Sequence, residues 1–146
     1  MANHESSQRI SPIAWSWLAA FCVASPFVFI LVQGYVARLI VPTLLGLGVA
    51  SAIELRVVVF AMNILGALLA AAVLCIPFGW LVRGPVALFG ALVGLVGGLV
   101  VSLLGRSVPP DGVALWALRI LEVAAFVAGC ILFAIVGARS THRVAA

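Results

Sequence analysis

The chain has 146 residues, of which 66% are hydrophobic and only 8% charged, whereas a soluble domain is roughly half apolar and about a quarter charged. Its net charge of +4 comes from arginines set singly at helix ends and tails, against Glu5, Glu54, Asp111 and Glu122, with no lysine. Lipid is therefore the solvent this composition fits, the arginines read as topology signals and headgroup anchors, and no basic stripe with interleaved aromatics marks a nucleic-acid partner.

Residues 1–11 form a polar tail, and Ser11-Pro12 supplies an N-cap followed by a proline at the first helical position. A first span is predicted over about 13–32, with Pro26 inside it. That proline removes one backbone hydrogen bond, frees the carbonyl of Cys22 and should kink the helix. The apolar run is too long for a signal peptide, and cleavage after Ser25 would leave Pro26 directly behind the break. The segment reads as a retained anchor.

Residues 33–56, QGYVARLIVPTLLGLGVASAIELR, hold an apolar stretch between Arg38 and the Glu54 and Arg56 pair. A helix of about 15 residues reaches roughly 22 Å, short of the ~30 Å hydrocarbon core. Pro42, Gly46 and Gly48 weaken it further as a span. The expectation is a short interfacial or re-entrant helix over about 36–53.

The second span is predicted over about 57–81, carrying Asn63 and, near its end, Pro77. Arg83-Gly84-Pro85 forms a reversal into a third span over about 85–105. GRSVPPDG then breaks the helix, and Asp111 is placed to cap a fourth span over 113–137. The fold class expected is an all-α integral membrane protein, one transmembrane domain. It is a four-transmembrane-helix bundle with the short interfacial or re-entrant helix between helices 1 and 2.

An even number of crossings puts both termini on one side, with Arg9, Arg83, Arg139 and Arg143. Arg38, Arg56, Arg106 and Arg119 fall on or near the other, so the positive-inside rule favours cytoplasmic termini by a narrow margin. The lysine-free, Ala/Gly/Val/Leu-heavy composition suits the cytoplasmic (inner) membrane of a bacterium. Trp15, Trp17, Trp80 and Trp116 fit an interfacial belt near the helix ends.

What is missing narrows the chemistry. Without lysine no Schiff base forms, and His4 and His142 sit in the tails, so neither a bis-histidine haem nor a Ser–His couple fits inside the bundle. A single aspartate in a loop makes no aspartyl dyad, and no phosphate-binding GxxxxGK[ST] motif occurs. The expectation is no enzyme, no cofactor and no metal. Cys22, Cys75 and Cys130 lie at similar depth in apolar runs without CxxC or metal-type spacing. They read as small buried apolar side chains.

Three polar residues stand out inside the spans. Glu122 lies roughly 15 Å along helix 4 from Asp111, where a charge costs a few kcal/mol. Arg119, separated from it by about 60° around the helix, is within reach for an ion pair. Asn63 enters helix 2 from the same side, so Asn63, Arg119 and Glu122 form a candidate intramembrane cluster if helices 2 and 4 are neighbours. Small residues that permit close helix approach share the same faces: Gly66 and Ala70 on helix 2, Gly90, Gly94 and Gly97 on helix 3, Ala125 and Gly129 on helix 4.

Two functions are expected to compete. One is a non-catalytic subunit or accessory and assembly protein, with the bilayer and either itself or another membrane subunit as partners. The other is a small homo-oligomeric proton- or cation-coupled transporter or channel that uses Glu122.

Overall fold

A computed structural model of the chain describes residues 12–46, 52–82, 84–104 and 113–144. Among these residues the protein is all-helical: α1 (Pro12–Gly46), α2 (Ala52–Leu81), α3 (Val86–Leu104) and α4 (Val113–Val144). Each is long and apolar enough to cross a membrane, with candidate spans Pro12–Ile40, Val57–Leu81, Val86–Leu104 and Trp116–Ser140. The Ser11 cap, Arg83, Gly105 and Asp111 lie outside the described residues.

The largest departure from expectation is at the end of the first helix. No separate short helix follows a span ending near residue 32; α1 runs unbroken to Gly46 through both Pro26 and Pro42, and residues 47–51 lie outside the described region. At 1.5 Å per residue α1 is about 52 Å long, far more than the ~30 Å hydrocarbon core. The physical reason is the solvent. Water competes weakly for backbone groups near a bilayer, so a helix retains its remaining hydrogen bonds across a proline or glycine that would end it in solution. α4 likewise continues past the expected stop at 137 to Val144.

Pro26 leaves the Cys22 carbonyl without its usual amide partner. The Ser25 hydroxyl donates to that carbonyl at 3.1 Å, and Ser25 is fully buried. Ser25→Ala is therefore expected to cost about 1–3 kcal/mol, the range for orphaning a buried acceptor. Ser16→Ala, which removes an exposed hydroxyl from the Pro12 carbonyl, should be near neutral. Thermal unfolding in detergent checks both, and in a Pro26→Ala background, where the amide is restored, Ser25→Ala should become cheaper.

The helices form a four-sided bundle. α4 packs along α2 and α3, α1 packs along the opposite edges of the same two helices, and α2 and α3 barely touch. α1 and α4 thus face each other across the long diagonal, which large side chains fill. Phe29 and Phe126, both almost wholly buried, meet edge-to-face there with ring centroids 4.6 Å apart. Phe21 and Phe78 make a second such contact at 4.9 Å. Because lipid is as apolar as these side chains, packing rather than a hydrophobic drive holds the bundle together. Edge-to-face pairs add about 0.5–1.5 kcal/mol each.

α2 and α4 come closest near their C-terminal ends. A Cβ at Gly79 would collide with the Ala134 carbonyl and lie 2.8 Å from the Ala138 nitrogen, and one at Gly137 would collide with the Ile76 carbonyl. One turn away the Trp80 indole donates to the Ser140 hydroxyl at 2.7 Å, which donates in turn to the Gly137 carbonyl. Trp15, Trp17 and Trp80 are exposed at this end of the bundle and Trp116 at the other, as an interfacial belt requires.

Candidate functional site: a polar contact across the bundle

On α1 the protein-facing stripe reads Ala14, Leu18, Cys22, Ser25, Phe29, Gln33 and Val36, spaced three or four residues apart and at least half-buried throughout. Its one amide, Gln33, projects across the long diagonal toward α4. There the Gln33 Nε2 donates to Glu122 Oε1 at 2.5 Å. The same nitrogen lies 3.5 Å from the backbone carbonyl of Asn63 on α2. One amide therefore touches two helices, and three helices meet at one polar layer.

The layer sits at a single depth. Gln33, Asn63 and Glu122 each lie about two turns, roughly 10 Å, inside the span ends at Ile40, Val57 and Trp116. This is the end of the bundle where α1 finishes and α4 begins. Toward the bilayer centre the layer rests on the Phe29–Phe126 pair, one helical turn further along each helix. Gly66 makes the room: a Cβ there would stand 3.2 Å from Gln33 Cγ, so any larger residue would push the amide away from α2.

Of the residues expected to cluster, Glu122 and Asn63 are brought to the layer, each half-buried. Asn63 contributes its carbonyl, and its side-chain amide makes no hydrogen bond among the described residues. Arg119 is half-buried one turn closer to the surface, but the hydrogen bond to Glu122 comes from Gln33, and no Arg119–Glu122 ion pair is present among the described residues. Gln33 itself is not a sequence-predicted site residue, because it stands just past the expected end of span 1. Its spacing of four from Phe29 and eight from Ser25 is the signal that places it on the inner face.

The small residues pack as follows. Gly129 faces Ala71, and a Cβ added there would stand 2.9 Å from the Ala71 methyl, while Ala70 is fully buried in α2. Gly90 and Gly94 lie against Cys130 and Val127 of α4, and Gly97 lies against Ser25 and Phe126. Ala125 is half-buried beside the polar layer. The thiols of Cys75 and Cys130 are neighbours in the fully buried core, all three cysteines are free, and no group of three potential metal ligands forms among the described residues.

What this arrangement does chemically is limited and clear. The contact pairs one donor of the Gln33 amide with one oxygen of the Glu122 carboxyl, and it can form whatever the proton on the other oxygen, since Gln33 only donates here. Comparisons with protein-family models, with curated proteins and with solved structures give no match.

Proposed function

We propose that the protein is a non-catalytic subunit or accessory and assembly protein of a membrane complex, a single four-span domain in a bacterial inner membrane with its termini in the cytoplasm. In this reading the segment of α1 beyond Ile40 extends into the headgroup region, which keeps an interfacial element without a separate helix. What supports the reading is the use made of the acid in α4. Glu122 is engaged by Gln33 from the diagonal helix, and the space beneath it is closed by two interlocked phenyl rings. A hydrogen-bonded acid above a filled aromatic layer suits a lock between helices better than a station on a conduction path, which would need polar groups continuing inward.

The competing reading makes Glu122 a proton or cation site. Glu122→Gln separates the two, because a glutamine oxygen still accepts from Gln33 while the titratable group is gone. Proteoliposomes carrying the wild type are expected to hold an imposed pH gradient as long as empty vesicles do. The native protein extracted in mild detergent is expected to bring other integral membrane subunits with it in fixed ratio. Wild-type vesicles that dissipate the gradient, with Glu122→Gln abolishing the flux, would overturn the proposal.

A further inference from the structure

On the outer face of α1, at the end where Arg38 reaches the span edge, a notch of about 270 Å³ is lined by Ile30, Leu31, Gly34, Tyr35 and Arg38. Its floor is Gly34, where a Cβ would meet nothing within 4 Å. Its walls are exposed, Tyr35 by 63% and Leu31 by 59%, so neither is consumed by the bundle. We infer that this notch binds an anionic glycerophospholipid, with the headgroup phosphate on the Arg38 guanidinium and one acyl chain laid over Gly34.

The order of residues along the helix is the order of groups along a lipid. Arg38 lies about half a turn from the span end at Ile40, at headgroup depth, where a guanidinium fork matches two phosphate oxygens. Tyr35, next inward, has an amphipathic ring suited to the glycerol and ester zone. Gly34, Leu31 and Ile30 follow deeper, where only hydrocarbon is expected. A second transmembrane helix is a poorer occupant. Close helix packing of the small-xxx-small kind needs another small residue four positions away, and the positions four before and four after Gly34 are Ile30 and Arg38. A flexible chain adapts to a single gap; a rigid helix does not.

The test is native mass spectrometry of the full chain in detergent, titrated with phosphatidylglycerol or with phosphatidylcholine of equal chain length. The wild type should retain one phosphatidylglycerol in preference to phosphatidylcholine. Arg38→Gln should weaken phosphatidylglycerol retention by about fivefold, the size of one arginine's attraction to an anionic lipid, and leave phosphatidylcholine unchanged. Gly34→Leu, which fills the notch from a position whose Cβ would meet nothing within 4 Å, should weaken retention of both. Equal retention of the two lipids by the wild type would overturn the inference. So would an Arg139→Gln control, altering an exposed arginine at the opposite end, that matched the loss from Arg38→Gln. A notch variant that changed only the monomer–dimer ratio would assign the face to a second copy instead, and overturn it too.

Discussion

Gly79→Leu and Gly137→Leu are each expected to destabilise the protein by about 3 kcal/mol, at the upper end for overpacking a closed core. At most buried positions an added side chain is accommodated when a neighbouring one turns away. Here the atoms in the way are backbone: the Ala134 carbonyl and Ala138 nitrogen against Gly79, and the Ile76 carbonyl against Gly137. Backbone cannot change rotamer, so the only relief is to separate α2 from α4, and that breaks the most extensive contact in the bundle. The Trp80–Ser140 hydrogen bond would be lost with it. Gly34→Leu is the matched control, the same substitution where nothing stands within 4 Å, and should leave stability unchanged. Unfolding temperatures in one detergent compare the three, and equal losses at all of them would mean that close backbone approach does not set the cost, since helix propensity favours leucine over glycine at each position.

The second large effect is a split between two replacements of one residue. Glu122→Leu should cost about 1–3 kcal/mol, because it removes the Oε1 acceptor and leaves the Gln33 amide only its long 3.5 Å contact with the Asn63 carbonyl. Glu122→Gln keeps an acceptor at the same place and removes any charge from hydrocarbon, so it should be neutral or mildly stabilising. The order matters more than the size. If leucine were tolerated better than glutamine, the acid would be a burden at that site rather than a tie between helices.

How much of this was legible in the sequence depends on which physical signal carried it. Four spans followed from long apolar runs, and the adjacency of α2 and α4 agrees with Gly129, which packs on Ala71, whereas Gly66 faces Gln33 of α1 instead. The end of α1 was not legible, because proline and glycine rules drawn from water misjudge a helix whose backbone has few competing partners. Placing the span end near residue 32 also put Gln33 outside the bundle, and with it the partner that Glu122 uses. Arg119 then stood as the obvious partner by helical spacing, although a neighbour along the same helix does nothing to fasten one helix to another. Gly79 and Gly137 were missed for a related reason: each sits near an expected helix end, where glycine normally marks termination. α2 ends at Leu81 as expected, and α4 continues past Gly137 to Val144, so both glycines lie inside helices where these approach closely.

The central claim is that Gln33 of α1 and Glu122 of α4 are joined across the bundle. A double-mutant cycle with Gln33→Leu, Glu122→Leu and the two combined measures that join directly, as the difference between the combined loss of stability and the sum of the single losses. The expected coupling is about 1–2 kcal/mol, the range for interhelical hydrogen bonds in membranes, with the pair of leucines less damaging than the single losses together. Strictly additive losses would contradict the account.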